Sequence, residues 1–366
     1  MSDPGHHLQI QQHRRPLVRT RQALAAGRVT VGYIGGSITD QRPGHNWPEP
    51  VSAWFAERFP DARIMVENAA IGATGSQLGA FRAQRDLLDR GCDLVFVEYA
   101  VNDAGLETEA RMRSREGLLR QLLAAGIDVV LVYTFSHVMY DDMIAGRVPA
   151  TVAELEQLGE HYGLGSVWMG LHAMREVQAG RMRWEEWLPD GLHPQSRGSL
   201  SYGQSVVAYL DRELSGPTPT EPSVALSAPM NARHWQLARR IAHAQIACTG
   251  PWLERRSTNL TWVDTVLTTS SPGATLSWEA RGHTLVVALD FGKSAADFRF
   301  RLDGGEWQDV KLERPDWSGP SGWLRLHVLA ADLADTTHAV ELEVMHPGVA
   351  PGAGPNMRLI FAGVIE

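Results

Sequence analysis

Cysteine is scarce in this chain of 366 residues, which contains only Cys92 and Cys248. Two cysteines in a chain of this length exclude a disulfide framework. Neither has a second cysteine close to it in the sequence, so a zinc site built on thiolates is not expected. Cys92 directly precedes an apolar segment, and we interpret it as a small core residue.

Long apolar runs and an excess of positive charge are also missing. No run approaches the ~20 apolar residues of a membrane-spanning helix. Residues 1–22 lack the apolar segment of a secretory signal. The net charge of −8 offers nucleic acid or anionic lipid no electrostatic attraction. The sequence therefore predicts a cytoplasmic protein without nucleic-acid or membrane partners, and leaves homo-oligomerisation open.

The first half of the chain alternates short runs rich in Val, Ile and Tyr with amphipathic stretches. Such runs are typical of buried parallel strands, and the alternation predicts a doubly wound, three-layer α/β/α domain. The predicted strands are Val29–Ile34, Ile64–Val66, Leu94–Tyr99 and Val129–Tyr133. The predicted helices are Val51–Phe59, Leu78–Leu88, Arg111–Ala124, Val152–Tyr162 and Arg197–Glu213.

A segment rich in Pro and Thr, from Leu214 to Pro222, separates this half from a region of different character. Several strands with partial alternation and no long helix follow it, and Asp303–Glu306 has the glycines of a hairpin turn. This pattern predicts an all-β sandwich, jelly-roll-like in type. We therefore divide the chain into an N-terminal extension, an α/β domain, a linker and the sandwich, over residues 1–27, 28–213, 214–222 and 223–366. Strands are predicted at Thr275–Ala280, Thr284–Phe291, Asp297–Leu302, Trp323–Leu329, Ala339–Met345 and Arg358–Val364, with residues 230–246 ambiguous.

Ser37 follows the first predicted strand, after Gly35 and Gly36. The carboxyl end of such a strand is where ligands bind in these sheets, and glycines permit a tight turn that presents a hydroxyl and a backbone N–H. A phosphate-binding loop is the simpler alternative, but no Lys follows and the glycine spacing does not match G-x-G-x-x-G. Ser37 is therefore a candidate nucleophile.

Three further segments carry polar groups at strand ends or in loops. Asn68–Ser76 is a small-residue loop before a helix, where N–H groups favour negative charge. Asn102, followed by Asp103, can donate its amide to an oxyanion, although a turn or helix cap is the commoner role. Asp190 and His193 lie three residues apart in a turn, so the carboxylate can orient the imidazole as a base for a serine.

Together these four segments resemble the conserved blocks of the SGNH hydrolases, the GDSL-type esterases and lipases. Gly-Gly-Ser37-Ile-Thr stands in the place of the G-D-S-L block, and Asn68–Ser76 resembles the glycine block. Val101–Asp103 resembles the G-x-N-D block, and Asp190–His193 the D-x-x-H block. The resemblance covers residues 28–213 and implies the SGNH fold.

The resemblance also implies a role for each residue. Ser37 attacks an ester carbonyl, His193 moves the proton and Asp190 orients His193. The N–H groups of Ser37 and Ala73 and the side-chain amide of Asn102 form the oxyanion hole. No metal and no cofactor is implied.

Three positions depart from the family pattern. Gly36 replaces the Asp of G-D-S-L, a variant associated with a carbohydrate-active branch. Val101 replaces or adjoins the Gly of G-x-N-D. Ala73 aligns with the oxyanion glycine, with Gly72 as the alternative.

Other residues are candidates for a metal site or for the walls of the pocket. A histidine cluster near the N-terminus is a weak metal candidate, and indoles near the catalytic loop can stack on sugars or simply pack. The histidines are His6, His7 and His13, and the pocket candidates are Trp184, Trp187, His45 and Trp47.

The favoured function is hydrolysis of acyl esters, in particular O-acetyl esters, of a carbohydrate through an acyl-enzyme, with a small-molecule or oligosaccharide ester as substrate. The Gly-Gly-Ser-Ile-Thr variant and the appended sandwich, an arrangement that resembles polysaccharide acetylesterases, motivate it. A general lipase or thioesterase of the same superfamily and a catalytically decayed sugar-binding protein are the alternatives. We expect the sandwich to be a docked accessory domain.

Overall fold

A computed structural model describes residues 8–40, 46–216, 226–345 and 356–366. The chain divides into two compact units, Met1–Gln236 and Leu237–Glu366. Most of the predicted linker lies outside the described residues. Residues 226–236, which we assigned to the sandwich, belong to the first unit, where Trp235 is buried. The boundary therefore comes later than the composition of the chain indicates.

The first unit is built on one sheet, to which six strands of the described chain contribute. Its strand order is β1-β6-β5-β4-β2-β3, and β2 to β6 run parallel. The chain passes from β2 to β3 on one side and then returns to β4 on the other. Ligands bind at such a reversal, outside the carboxyl ends of the strands. The strands are β1 (Gln11–Gln12), β2 (Arg28–Gly35), β3 (Arg63–Asn68), β4 (Leu94–Glu98), β5 (Asp128–Val132) and β6 (Gly165–Val167).

The two central strands explain why the apolar runs were recognisable. Every residue of β4 is buried, and so is every residue of β2 after Arg28. Both faces of such strands are covered, so their sequences are continuously apolar rather than alternating. This confirms the predicted three-layer α/β class.

Helices connect these strands and follow the last of them. The five predicted helices are present, and the second of them ends in a π-helical turn over Gln84–Leu88. Among the described residues, no helix is long and apolar enough to span a membrane. The helices are α1 (Val18–Ala25), α2 (Pro48–Arg58), α3 (Ser76–Ala83), α4 (Thr108–Ala124), α5 (Tyr140–Ile144), α6 (Ala150–Tyr162), α7 (Met169–Gln178), α8 (Trp184–Trp187) and α9 (Ser196–Leu214).

The described part of the predicted N-terminal extension is integrated into the first unit. Strand β1 adds antiparallel to β6, with Gln11 opposite Val167. Helix α1 is anchored by Asp128, whose carboxylate accepts hydrogen bonds from the Thr20 N–H and hydroxyl, both at 2.8 Å. A two-residue strand leaves no periodic pattern in the sequence, so this part was predicted as an extension and not as part of the sheet.

The second unit consists of two antiparallel sheets that enclose one hydrophobic core, which is the arrangement of a β-sandwich. One sheet has the order β15-β12-β17-β10-β9, with β7 also paired to β17, and the other has the order β14-β13-β16-β11-β8. The strands are β7 (Ala238–Ile241), β8 (Ala247–Thr249), β9 (Leu253–Arg256), β10 (Thr265–Thr269), β11 (Thr275–Gly282), β12 (Thr284–Phe291), β13 (Asp297–Leu302), β14 (Gln308–Val310), β15 (Trp323–Ala330), β16 (Thr336–Met345) and β17 (Met357–Ile365).

Alternation along β11 shows how its sequence specifies one buried face. Leu276, Trp278 and Ala280 are buried, whereas the residues between them are more exposed. The predicted hairpin turn joins β13 to β14, and both Asp303 and Gly304 have positive φ, at +52° and +70°. All six predicted strands are present, while the short strands β7 to β10 and β14 were not predicted.

Candidate active site

The nucleophile candidate lies in a tight turn directly after β2. The backbone N–H groups of Thr39 and Asp40 both donate to the Gly36 carbonyl at 3.1 Å. This turn leaves Ser37 half-buried at the carboxyl edge of the sheet, where its hydroxyl can meet a ligand. The glycines before Ser37 allow the turn to approach its neighbours closely, as expected.

Ser37, His193 and Asp190 form a continuous hydrogen-bonded chain. Ser37 Oγ lies 2.9 Å from His193 Nε2, and His193 Nδ1 lies 2.8 Å from Asp190 Oδ2. The serine comes from the end of β2, and the other two residues come from the turn before α9. One imidazole nitrogen therefore faces a nucleophile and the other faces a carboxylate, as general-base activation requires.

The Asp190 carboxylate organises its own turn as well as the imidazole. Its Oδ1 accepts the backbone N–H groups of Leu192 at 2.9 Å and His193 at 2.7 Å. Partial burial raises the pKa of Asp190, but these hydrogen bonds and that from the imidazole outweigh it, so the pKa lies below its usual value. Asp190 therefore remains ionised wherever the imidazole needs an acceptor. Gly191 has a φ of +77°, which lets the turn close without strain.

Asn102 lies directly against the nucleophile turn. A Cβ placed on Gly36 would come within 1.9 Å of Asn102 Oδ1 and 2.7 Å of its Nδ2. The absence of a side chain at position 36, where the G-D-S-L block has Asp, therefore makes room for the Asn102 amide. This placement beside Ser37 fits an oxyanion-hole donor.

Ala73 adopts the left-handed backbone region, with a φ of +57°. This region is strained for any residue with a Cβ, and such residues concentrate at functional sites. Its loop is tied to the nucleophile strand, because Ala69 N–H donates to the Tyr33 carbonyl at 2.8 Å and Ile71 N–H to the Gly35 carbonyl at 3.1 Å. Whether Ala73 or Gly72 supplies the oxyanion N–H stays a prediction.

Asp103 holds two loops of the site together. Its Oδ1 accepts the Ser76 N–H at 2.9 Å, and its Oδ2 lies 2.8 Å from Arg115 Nε. Asp103 and Arg115 are fully or almost fully buried. The sequence places Asp103 in the block that resembles G-x-N-D but predicts no contact for its side chain. Asn68 has a comparable role, since its amide donates to the Thr39 carbonyl at 2.8 Å.

Several pocket candidates are packing residues. Trp187 and Trp47 are fully buried, so neither indole can form the wall of an open site. Trp184 is half-buried and packs edge-on against Tyr140, with 5.7 Å between the ring centroids. His45 lies outside the described residues.

The metal hypothesis for the N-terminal histidines gains no support. His13 stacks on Tyr209, and its Nδ1 lies 2.5 Å from a Glu213 carboxylate oxygen. The other two histidines lie outside the described residues. Within the described part of the chain, no group of three or more His, Cys, Asp or Glu side chains could hold a metal ion. Cys92 is buried, as interpreted.

The chain also resembles known proteins in sequence and in fold. Residues 33–199 match the family model described as GDSL-like Lipase/Acylhydrolase family. Two crystal structures of a two-domain esterase (CEX) active on acetylated mannans, one co-crystallised with mannopentaose, match 96% of this chain with a TM-score of 0.80. They are 24% and 23% identical to it, over 95% and 96% of their own chains.

A third solved structure, of the acetylxylan esterase Axe2 from Geobacillus stearothermophilus, matches 52% of this chain and 95% of its own. It is 17% identical, with a TM-score of 0.41. The search of curated protein sequences finds no match.

The family match spans every block from the nucleophile strand to the start of α9. Residues 33–199 of the first unit therefore form a GDSL-like lipase/acylhydrolase domain, and the protein is a carboxylic ester hydrolase.

Proposed function

We propose that the protein removes O-acetyl groups from a carbohydrate through an acyl-enzyme formed on Ser37. The chain of hydrogen bonds from Ser37 through His193 to Asp190 is the observation that carries this proposal. A serine hydroxyl is a weak nucleophile until a base removes its proton. Here the base lies within hydrogen-bond distance, and its carboxylate partner is already ionised.

In the acylation step, Ser37 Oγ attacks the ester carbonyl carbon and transfers its proton to His193 Nε2. The imidazolium that forms is stabilised by Asp190 through the Nδ1–H hydrogen bond. The negative charge on the carbonyl oxygen faces the N–H groups of Ser37 and Ala73 and the amide of Asn102. Collapse of this intermediate breaks the ester C–O bond, and His193 protonates the departing sugar oxygen, which leaves as a hydroxyl.

In the deacylation step, water attacks the acetyl group carried on Ser37. His193 accepts a proton from this water and then returns it to Ser37 Oγ, which releases acetate. The same three side chains therefore act in both halves of the reaction, and no cofactor takes part.

Two observations support a carbohydrate ester over other esters. Gly36 belongs to the Gly-Gly-Ser-Ile-Thr variant, and an all-β unit follows the hydrolase domain. The two-domain esterase of the same fold acts on acetylated mannans. A general lipase or thioesterase activity is the alternative within the superfamily.

Acetate release from acetylated manno-oligosaccharides, measured beside hydrolysis of p-nitrophenyl acetate and p-nitrophenyl octanoate, tests the proposal. We expect acetyl esters to be preferred, and Ser37→Ala to reduce every activity roughly 10⁴-fold or more. A preference for octanoate would favour the lipase alternative. Activity that persists in Ser37→Ala would contradict the assigned nucleophile, whereas oligosaccharide binding without hydrolysis in the native protein would favour a decayed enzyme.

A further inference from the structure

Glu98 ends strand β4 and is completely buried, with 0% of its surface exposed. Its Oε2 accepts a hydrogen bond from the Thr39 hydroxyl at 3.1 Å and faces the Gly36 N–H at 3.5 Å. Its Oε1 accepts a hydrogen bond from the Thr134 hydroxyl at 2.8 Å. Gly36 and Thr39 lie on either side of Ser37 in the sequence. One carboxyl group therefore contacts the nucleophile turn on both sides of the serine.

The direction of the Thr39 hydrogen bond is set by a third residue. Trp47 Nε1 lies 3.0 Å from Thr39 Oγ1, and an indole N–H can only donate. The threonine hydroxyl therefore accepts from Trp47 and has its single hydrogen available for Glu98. All three side chains are fully buried, so water does not compete for these bonds. The turn is consequently linked to the core by hydrogen bonds that all run in one direction, from Trp47 to Thr39 and from Thr39 to Glu98.

Residue 36 has no room for a side chain of its own. The G-D-S-L block has an acidic residue there, but Asn102 fills that space, and a Cβ on Gly36 would lie 1.9 Å from its Oδ1. The nucleophile turn therefore cannot carry its own carboxyl group. The neighbouring strand β4 instead places the Glu98 carboxyl group against this turn.

Burying a carboxyl group is costly unless its oxygens are hydrogen-bonded. Burial raises the pKa of Glu98 above its usual value, while the hydrogen bonds from Thr134, Thr39 and Gly36 oppose this rise. A neutral carboxyl group is compatible with the contacts, because the Thr134 hydroxyl can rotate and accept a hydrogen bond. The geometry needs an acceptor towards Thr39 and Gly36 and does not need a charge.

We propose that Glu98 is a positioning residue that fixes the backbone around Ser37, and so holds both its hydroxyl and its N–H in the geometry for catalysis. Glu98 acts without touching the substrate. The inference rests on the proposed role of Ser37 as the nucleophile. A displacement of ~1 Å at a reacting atom can cost about 10²-fold in rate, so loss of this support should appear in kcat.

Two substitutions at position 98 separate positioning from charge. Glu98→Gln keeps an oxygen for Thr39 and Gly36 and turns its NH₂ towards the Thr134 oxygen, whereas Glu98→Leu removes every acceptor. We expect Glu98→Leu to lower kcat about 10²-fold with little change in KM. Glu98→Gln should retain kcat to within about fivefold, because a neutral acceptor satisfies the same contacts. The rate at which a serine-reactive phosphonate labels Ser37 should follow kcat in both variants.

Asp128 provides a matched control. It is a half-buried carboxylate at the start of β5, at the end of the strands opposite to Ser37, and accepts the N–H and hydroxyl of Thr20 at 2.8 Å. Burial raises the pKa of Asp128 in the same direction as that of Glu98. Asp128→Leu should lower Tm but leave kcat and the labelling rate unchanged.

Each outcome decides a different point. If Glu98→Leu lowers Tm as Asp128→Leu does but keeps kcat and the labelling rate, Glu98 is merely structural and the inference is wrong. If Glu98→Gln loses as much activity as Glu98→Leu, an acceptor is not what the turn requires, and the inference is also overturned. Should Glu98→Leu fail to fold, Thr39→Val tests the same link and should lower kcat without raising KM. Failure of the phosphonate to label Ser37 in the native protein would instead contradict the proposed function.

Discussion

Two Asp–His pairs in this protein share nearly the same local geometry but occupy different surroundings. In the first unit, Asp190 Oδ2 lies 2.8 Å from His193 Nδ1, and in the second, Asp303 Oδ2 lies 2.8 Å from His338 Nδ1. Each carboxylate also accepts a backbone N–H through its other oxygen; Asp303 accepts that of Ala339 at 2.8 Å. A carboxylate that orients an imidazole therefore does not by itself indicate catalysis.

The two pairs differ in the group that faces Nε2 of the histidine. His193 Nε2 faces the Ser37 hydroxyl at 2.9 Å, whereas the nearer partner of His338 Nε2 is the Ala334 carbonyl at 3.0 Å, with the Thr336 hydroxyl at 3.4 Å. A hydroxyl can donate to a neutral imidazole, which can then act as a base. A carbonyl only accepts, so the nearest partner of each His338 nitrogen is an acceptor and the protonated form of His338 is favoured. The hydrogen bond to Asp303, and then that to Ala334, accordingly raise the pKa of His338.

Substitution of each histidine is the strongest test of this comparison. His193→Gln should lower kcat by roughly 10⁴-fold or more, because His193 Nε2 is the base that faces the Ser37 hydroxyl. His338→Gln keeps hydrogen-bonding capacity in the hairpin region and should leave kcat unchanged. Ester hydrolysis of the two variants, measured with circular dichroism to confirm folding, checks this. Loss of activity in His338→Gln with an intact fold would show that the second pair is not merely structural.

A methyl group at residue 36 should disturb the site through Asn102. Gly36→Ala places a Cβ where Asn102 Oδ1 lies, so this amide has to move. Loss of one oxyanion donor typically costs about 10²–10³-fold in kcat. We expect a loss in this range with an acetyl ester. Asn102→Ala is the comparison, and the double variant should be little worse than either single one, because both remove the same donor. Additive losses would indicate that the two residues act separately.

Residues 226–236 should prove part of the hydrolase unit. The Glu116 carboxylate accepts the N–H of Asn231 at 2.9 Å, and Trp235 is buried beside Gly117. Trp235→Ala in the full chain should lower the free energy of unfolding of the first unit by about 3–5 kcal/mol. A fragment of residues 1–236 should likewise melt well above one of residues 1–216. Equal Tm values for the two fragments would argue for the earlier boundary.

The chemistry of the site was largely predictable because it depends on local sequence. Ser37 follows an apolar strand, and Asp190 and His193 share one turn; together with the other two segments they resemble the SGNH blocks, and this resemblance implies their roles. The supporting residues were not predictable in the same way. Glu98 is an acidic residue at the end of an apolar strand, and only the fold shows that its carboxyl group contacts the turn that carries Ser37.

Contacts between residues distant in sequence explain most of the other features that the sequence did not predict. Strand β1 exists because its two residues pair with β6, far along the chain. Trp47 looked like a pocket wall because it follows the nucleophile loop, but it packs against Tyr33 and Phe96 in the core. The positive φ of Ala73 leaves no signal in the sequence, since alanine is rare in that region. Strand β1 and the packing of Trp47 are thus decided by neighbours that are distant in sequence.

The smallest expected effect concerns pH and the stability of the second unit. The folded-state pKa of His338 lies above its usual value of 6.5, with Asp303 as the main cause. A group of this kind stabilises the fold fully below its unfolded pKa, and the contribution disappears as pH rises through the folded pKa. The pKa of Asp303 is lowered by the same hydrogen bond, so its contribution disappears only in acid, as pH falls below about 3.8. The pair should therefore stabilise the hairpin region most between about pH 4 and 6.5.

The size of this effect should stay below about 1 kcal/mol, because the Asp303 side chain is half-exposed and solvent screens the interaction. Native-state hydrogen exchange of the amides in β13 and β16 measures it locally. The difference in protection between the native protein and His338→Gln, taken at each pH, removes the intrinsic pH dependence of exchange. We expect this difference to shrink as pH rises above 6.5, with no change in the pH profile of ester hydrolysis. A difference that stays constant with pH would mean that His338 is not protonated in the folded state. The two Asp–His pairs would then differ only in the group that faces Nε2 of the histidine.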